Sequence, residues 1–356
     1  MALSGTGGRL TWLKEATEGT FIPPSATTGL RVFFQPPFGA NRKQDPQRFA
    51  AEVTGTASAH RRDLPLGVLA IDGSFRFPCR YSGVHAVMAG WALGDLVTTG
   101  ADPYTHTAKT ADAFVAASMA LHIPISAANP FSQASIAGCK PTRATWSQRV
   151  GEVMFCDIDY VGVSNVYSTT EGTIPPDDGK FSPGEPMVNW DRISGTIEFK
   201  RLGIALVSLN VVSYSISIEN PVDQHALIGS SKLLSVPVRS DKTIITGQME
   251  VEYDANYEDT VNAFGLTVAE ATEDVRIKMT YADAIDPVIN WIWELSNLRL
   301  TASPVGISTA GSLTQTFSFE GYHKLAGVDI NPEPILLKII NHSEGPQVGT
   351  TYGSLV

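Results

Sequence analysis

The sequence has few cysteines and no long hydrophobic run. Its three cysteines, Cys79, Cys139 and Cys156, are too few for a disulfide framework, and none belongs to a CxxC pair. We expect them to be small buried thiols in a reducing compartment. No apolar run approaches the ~20 residues that a membrane-spanning helix needs, and the first residues lack the apolar segment of a secretory signal. These absences predict a soluble protein, without a membrane partner, that folds in a cytoplasm.

Positive charge is also scarce. The 26 Lys and Arg residues are outnumbered by 36 Asp and Glu residues, which gives a formal net charge of −10. Proteins that hold nucleic acid through its phosphates need clustered cations, so tight binding of a polyanion is not expected. Hydrophobic residues make up 43% of the chain, which is enough to build real cores and excludes wholesale disorder.

Motifs that carry catalysis or hold a cofactor are missing as well. The chain has no HExxH, no GxSxG, no P-loop and no GxGxxG after a strand. No Cys/His cluster has the close ligand spacing of a metal site, and His106 and His122 are expected to be solvated. The sequence therefore predicts no enzyme, no cofactor and no metal.

Short-period alternation of apolar and polar residues is abundant, and 31 glycines and 22 prolines punctuate it. This profile is typical of a mainly β protein. After Gly73, for example, Phe75, Phe77 and Cys79 share one face of a predicted strand. Helical spacing of apolar residues occurs at 84–91 and 257–264, and each stretch predicts one short helix.

The order of these elements occurs twice along the chain. Each half begins with a strand and a long polar loop; a Gly-led strand, one short helix and three further strands follow. The phase of the alternation also agrees, because Phe75 follows Gly73 as Met249 follows Gly247. A shift of one residue would turn either apolar set outward, so matching phase is stronger support than matching composition. The pattern predicts an internal duplication.

The expected fold is mainly β, with two similar β-sandwich or barrel domains that each carry one short flanking helix. Composition sets the predicted boundaries. They are a first domain at 1–162 with a long loop at 37–67, a Pro- and Gly-rich linker at 163–190, a second domain at 191–343 with a loop at 221–243 and a last strand at 334–343, and a mobile C-terminal tail at 344–356.

Acidic residues recur on the polar faces of two predicted strands. Asp157 and Asp159 alternate in one, and Glu250, Glu252 and Asp254 alternate in the other. Paired carboxylates can cleave glycosidic bonds, but that function requires burial and a raised pKa, and the alternation places these residues outward. A water-facing acidic strip, which would repel a nucleic-acid backbone, is favoured.

Several segments, taken in order, resemble the tail tube (major tail) proteins of long-tailed bacteriophages. Five segments are similar to the first part of these proteins: RLTWLKEATEGT, GSFRFPCRYSGVHAVMAGWALG, TTGADPYTHTAKTADAF, IAGCKPTRATW and VMFCDIDYVG. Two segments resemble the second copy of the domain in this family: VVSYSISIENPVDQHALIGS and IITGQMEVEYDANYEDTVNAF. The resemblance covers roughly residues 5–340, and it is poorest in the linker and after Tyr322.

The resemblance implies a structural virion protein whose rings stack into a hollow tail tube for DNA. Open strand edges would pair with the next subunit, and two tube-like copies in one chain predict a trimeric ring with pseudo-sixfold symmetry. The expected partners are further copies of the chain, the tail terminator, and baseplate and tape-measure proteins. DNA is expected to pass through the lumen without specific binding, and assembly is expected in the host cytoplasm.

The long loops are predicted to reach the adjacent ring and drive stacking. A solvated loop is the alternative for the basic cluster that contains Arg61 and Arg62. The candidate inter-ring contacts are the loop cations Arg42, Lys43, Arg61, Arg62, Lys232 and Arg239.

Other functions stay open at this point. The chain could be another virion β protein, such as a tail terminator, a baseplate hub or a capsid decoration protein. A glycan-cleaving enzyme or a glycan-binding module is a weaker alternative. The module would need exposed tryptophans, whereas Trp291 and Trp293 lie in an apolar stretch that favours core packing.

Overall fold

The computed structural model describes residues 9–23, 30–32, 34–46, 66–112, 114–124, 131–168, 186–199, 207–226, 234–252, 275–302, 314–322 and 334–342. The first half contains β1 (Arg9–Lys14), β2 (Leu30–Val32), β3 (Gln35–Pro46), β4 (Leu66–Pro78), α1 (Gly83–Leu93), β5 (Gly94–Thr99), β6 (Tyr104–Thr110), β7 (Ala117–Pro124), β8 (Phe131–Arg149), β9 (Phe155–Gly162) and β10 (Ser164–Ser168).

The second half begins with a 3-10 turn at Trp190–Arg192. Its strands are β11 (Ile193–Phe199), β12 (Val207–Leu209), β13 (Val211–Glu219), β14 (Val222–Asp223), β15 (Val238–Arg239), β16 (Ile244–Glu252), β17 (Val275–Ala282), β18 (Asn290–Ala302), β19 (Thr314–Gly321) and β20 (Ile335–Asn341). The prediction of a mainly β protein is confirmed, and β20 confirms the predicted last strand.

The helix predicted at 84–91 is confirmed as α1. Ser82 caps its first turn by accepting a hydrogen bond from the backbone N–H of His85, and Gly94 ends it in the left-handed conformation with φ 114°. Every residue of α1 is buried, so the helix lies inside the fold rather than on its flank. The second predicted helix, at 257–264, falls outside the described residues.

Alternation along the strands builds one hydrophobic core that both halves share. Phe75 and Phe77 are buried, whereas Arg76 between them is exposed. Trp146 from β8 packs edge to face on Trp293 from β18, with ring centres 5.1 Å apart. Aromatic burial of this kind dominates core energetics, so these two strands join the halves by packing.

The described strands of the two halves are joined in the same order. The first half reads β3-β4-β9-β8-β7-β1-β2, and the second half reads β13-β16-β19-β18-β17-β11-β12. Every neighbouring pair is antiparallel. In addition, β10 pairs with β8 as β20 pairs with β18.

The irregularities of the two halves also coincide. The register of β8 on β9 shifts between Pro141 and Arg143, and that of β18 on β19 shifts between Leu300 and Ala302. In the preceding part of each long strand, Gly138 and Asn297 adopt positive φ values of 67° and 55°. Bulges re-aim a strand, so β8 and β18 bend from one sheet into the next at equivalent points.

Two strand pairs carry the sheets from one half into the other. The end of β8 pairs with β13, and β6 pairs with β20. The first of these connections creates a sheet with the order β3-β4-β9-β8-β13-β16-β19-β18, which we call the joined sheet. Strand β10 lies within the stretch predicted as a linker, and the domain boundaries themselves stay a prediction.

Some local predictions were wrong. The loop predicted at 37–67 is strand at 37–46 and again from Leu66, because β3 and β4 form a hairpin. Asn41, Arg42 and Lys43 of β3 are all exposed, so this part of the sequence has no alternation of apolar and polar residues that would predict a strand. In the loop predicted at 221–243, β14 pairs with β15.

His106 and His122 are buried instead of solvated. His106 is 1% exposed, and its ring hydrogen-bonds the Thr98 hydroxyl at 2.9 Å and the Asn341 side chain at 3.2 Å. His122 is fully buried on β7. Both histidines lie on internal strands, since β7 lies between β1 and β8 and β6 lies between β5 and β20, so neither strand is an exposed sheet edge.

Candidate functional site: the polar face of the joined sheet

The joined sheet has one apolar and one polar face because its strands alternate. The apolar face belongs to the core and includes Phe75, Trp146 and Ile216. The polar face carries the residues between them, and serine and threonine occupy much of it on β8 and β13. Its charged side chains are Lys43, Asp72, Arg76, Arg143, Arg149, Asp157, Asp159, Glu219, Glu250, Glu252, Arg299 and Glu320.

Cations on the polar face lie beside its acids. The ion pairs are Lys43–Asp72 at 2.6 Å, Arg76–Asp157 at 3.8 Å and Arg143–Glu219 at 3.9 Å. All of these side chains are at least 38% exposed, so each pair adds only ~0–1 kcal/mol to stability. Their larger effect is on the field, because a cation already neutralised by a carboxylate attracts a phosphate less strongly.

The pair of acids on β9 responds to partial burial. Burial raises the pKa of Asp157, with the nearby charge of Asp159 adding to the rise and Arg76 opposing it. Burial likewise raises the pKa of Asp159, against the attraction of Arg143. Since Arg143 comes from β8 and faces Asp159 directly in the register, the charges of neighbouring strands interact across the polar face.

The acids of β16 lie on the same face. Glu250 is half-buried and accepts hydrogen bonds from the Ser213 hydroxyl at 3.0 Å and the Thr314 hydroxyl at 2.8 Å. Glu252 is exposed, and Asp254 lies outside the described residues. Strands β8 and β13 separate these acids from the β9 pair, so the predicted strip is spread across the sheet and Glu250 is occupied by hydroxyl groups.

The candidate inter-ring cations are found in different settings. Arg42 and Lys43 are exposed on β3, and the hydrogen bond that Lys43 donates to Asp72 lowers the pKa of that carboxyl. The cations that fall outside the described residues are Arg61, Arg62 and Lys232.

Arg239 holds its loop against the first half. Its guanidinium donates to the carbonyl of Ala111 at 2.7 Å, the carbonyl of Asp241 at 2.8 Å and the hydroxyl of Thr243 at 2.8 Å. It also lies 5.2 Å from the ring centre of Phe114. These contacts account for Arg239 within one chain, and its role between rings stays a prediction.

Sequence reasoning did not propose Arg76, Arg143 and Glu219 as site residues. Alternation does reveal their side of the sheet, since Arg143 precedes the buried Ala144 and Trp146. It cannot reveal that β13 lies next to β8, because that pairing joins residues far apart in the chain.

One comparison with known proteins gave a match. The family model described as phage tail tube protein matches residues 5–321. The chain belongs to this family. As a member, it is a structural protein of the phage tail rather than a member of an enzyme family. A search among curated proteins found no match. In the described part of the chain, no helix is long and apolar enough to cross a membrane.

Proposed function

We propose that the chain assembles into rings that stack into the hollow tail tube through which phage DNA passes into the host. The joined sheet is the observation that carries this proposal. One of its faces is sealed by the core and the other is polar along its length. Sheets of this kind, set edge to edge around an axis, enclose a water-filled bore lined by their polar faces.

The chemistry of the polar face suits a bore for DNA. Hydroxyl groups dominate its middle, and its acids outnumber its cations. Three of its cations, Lys43, Arg76 and Arg143, lie beside acids of the same chain. A DNA phosphate would therefore meet weak net repulsion and few unneutralised cations, which permits passage without binding.

We further propose that the two halves arose by duplication and that three chains form one ring of pseudo-sixfold symmetry. The shared strand order and the coinciding bulges support this proposal. A heterologous interface between rings does not close, so it extends into a filament. The tail terminator, baseplate and tape-measure proteins would contact the ends and the lumen of this filament, which assembles in the host cytoplasm.

Stacking of the rings is assigned to the segment of the chain between β3 and β4, which contains Arg61 and Arg62, and to the segment 221–243. Deleting 50–63 should leave a folded protein, by circular dichroism, that no longer forms tubes. A deletion of equal length at 343–356, which removes the predicted C-terminal tail and the one residue before it, is the matched control and should leave tubes intact. Tubes of unchanged length after the loop deletion would contradict this role.

Electron microscopy of the purified protein tests the function itself. We expect long hollow tubes. A terminator or baseplate hub would stop at a single ring, so uniform single rings at high concentration would favour that alternative. A protein that stays monomeric at every concentration would contradict the proposal.

A further inference from the structure

Three parts of the fold meet at one exposed histidine, His342, which directly follows the last residue of β20. The pairing of β20 with β6 is one of the two strand pairs that connect the halves. Asn341, at the end of β20, is 1% exposed, and its side-chain amide donates to the carbonyl of Tyr81 at 3.0 Å. Since side chains alternate along a strand, the next side chain, that of His342, points toward solvent.

The ring of His342 lies between two carboxylates. Its Nδ1 atom is hydrogen-bonded to Oδ1 of Asp102, and its Nε2 atom lies 2.8 Å from Oδ2 of Asp286. Asp102 belongs to the turn between β5 and β6 in the first half, and Asp286 belongs to the turn between β17 and β18 in the second half. One side chain therefore bridges two turns that come from different halves of the chain.

The geometry of this bridge determines the protonation state of the ring. An ionised carboxylate can only accept hydrogen bonds, and a neutral imidazole has a single N–H group. Both ring nitrogens can donate only when the ring is an imidazolium cation. In the neutral ring, the lone pair of one nitrogen would face an anionic oxygen. The bridged arrangement therefore requires the second proton.

The electrostatics of the bridge favour the charged form of both kinds of partner. The hydrogen bonds to Asp102 and, second, to Asp286 raise the pKa of His342. The hydrogen bond from His342 lowers the pKa of Asp286, and the backbone N–H of Val288, which donates to the same carboxylate at 3.0 Å, lowers it further. The ring thus keeps its proton while the carboxylate stays ionised.

We propose that His342 is a pH-controlled clasp: in its protonated form it ties the turn between β5 and β6 to the turn between β17 and β18, and loss of one ring proton to solvent releases them. The turn between β17 and β18 carries Ile285, whose side chain is 92% exposed, so the clasp also sets the position of an apolar tip. The device lies within one chain and goes beyond the proposed role in the tube.

The other titratable and charged groups on the elements around His342 are engaged elsewhere. They are Asp283, whose carboxylate accepts from the backbone N–H groups of Ile285 at 3.3 Å and Asp286 at 3.1 Å; Lys338, which pairs with Glu294 at 3.0 Å; Tyr104, which lies opposite Asn341 on β6; and the buried His106, which hydrogen-bonds Asn341. The two carboxylates of the clasp, Asp102 and Asp286, are therefore the groups that set its response to pH.

The direction of the response follows from the raised pKa of His342. The clasp is fully closed below the ordinary histidine pKa of about 6.5, and it opens as the pH rises through the raised value. All three side chains are well exposed to solvent, so added salt should weaken the clasp by screening.

Nitrogen-15 spectra of the full chain, labelled at its seven histidines, test the protonation of the ring. The signals of His342 are those lost in His342→Gln. We expect both ring nitrogens to be protonated at mildly acidic pH. The titration midpoint should fall when Asp102→Asn and Asp286→Asn remove the two charges, and it should fall in the native chain when salt is added. A midpoint that the double variant leaves unchanged would overturn the inference.

Hydrogen exchange tests whether the ring holds the turn. After correction for the intrinsic effect of pH, the backbone amides at 283–289 should exchange about two- to fivefold faster once the pH has risen through the midpoint, which is the scale of an exposed ion pair. The variant His342→Gln should exchange fast at every pH, whereas His225→Gln, at another exposed histidine, should behave as the native chain does.

The native chain carries this test by itself if the His342→Gln variant does not fold, because the step in exchange and the midpoint are both measured without a substitution that alters the clasp. Exchange at 283–289 that shows no step at the midpoint of His342 would mean that the ring does not hold the turn, and the clasp would be refuted.

Discussion

The two halves of the chain share one strand order but fill it with different side chains. A glycine admits an aromatic ring in each half, with Gly73 under Tyr160 and Gly247 under Phe319. The hydroxyl of Tyr160 also donates to the carbonyl of Gly39 on β3 at 3.1 Å, which Phe319 cannot do. Both halves therefore keep a glycine beneath an aromatic ring, although the ring itself differs between them. The additional hydrogen bond appears where the strand, β3, has only one partner strand among those described.

The halves also differ at the strand edges that face each other. Glu219 of β13 meets Arg143 where β13 pairs with β8, whereas Lys43 of β3 meets Asp72 of its own hairpin. The edge that is paired within the chain thus uses its charge across the junction. The strand that ends the joined sheet has its Lys43 charge neutralised within its own hairpin.

The largest expected effect concerns the core that the halves share. Trp146→Ala in the first half and Trp293→Ala in the second each remove one side of a buried ring contact, at a cost of ~3–5 kcal/mol. We expect each variant to lower the stability of the whole chain in one cooperative transition, measured by urea denaturation. Trp190→Ala, at a 40% exposed site, is the control. Two separate transitions, with only one of them shifted, would break the description of a shared core.

The second prediction compares the two glycines directly. A Cβ at Gly73 would overlap the Gly39 carbonyl oxygen and the Tyr160 hydroxyl, and one at Gly247 would overlap the Phe319 ring, so something must move in either case. Gly73→Ala and Gly247→Ala should each cost ~1–3 kcal/mol through overpacking. Gly39→Ala is the control, since its nearest contact is an ordinary 3.4 Å. A neutral effect in one half alone would show that the two fits are not equivalent.

A smaller effect should follow from the β9 acids, which have no counterpart in charge on β19. A carboxyl whose pKa is raised by burial stabilises the fold fully below its unfolded pKa of ~3.9, and this contribution is lost as the pH rises through the raised pKa. The double variant Asp157→Asn and Asp159→Asn should therefore lose less stability than the native chain between about pH 4 and neutral pH. Unfolding free energies across this range would measure the difference; identical slopes would contradict it.

The smallest expected effect concerns the ion pair between β8 and β13. A double-mutant cycle with Arg143→Ala and Glu219→Ala should give a coupling of ~0.2–1 kcal/mol, because both side chains are about half exposed. Added salt should reduce it by screening. The corresponding cycle with Lys43→Ala and Asp72→Ala gives the reference for an ion pair inside one hairpin. A coupling unaffected by salt would argue against a solvent-facing pair.

Local pattern predicted those parts of the fold whose burial is one-sided. Phe75 and Phe77 alternate with exposed residues. The helix α1 is predictable from the helical spacing of its apolar residues and from Gly94 at its end. Pattern failed where this condition is absent. Strand β3 is solvated on both sides at Arg42, and β7 is covered on both sides at His122, so neither shows the expected alternation.

The candidate site was only partly predictable for a different reason. The acids of β9 and β16 stand out because they alternate with apolar residues. Their neighbours do not, since Arg143 reaches Glu219 through a pairing between strands of different halves. Such pairings depend on the whole sheet order, which no short stretch of sequence encodes.

The mass of the isolated ring tests the central claim most directly, namely that the two halves of one 38.2 kDa chain act as equivalent units of the tube. Native mass spectrometry of rings released from tubes should give the mass of three chains, with six similar lobes in electron micrographs. A ring of six full chains would contradict the equivalence of the halves, even if tubes form.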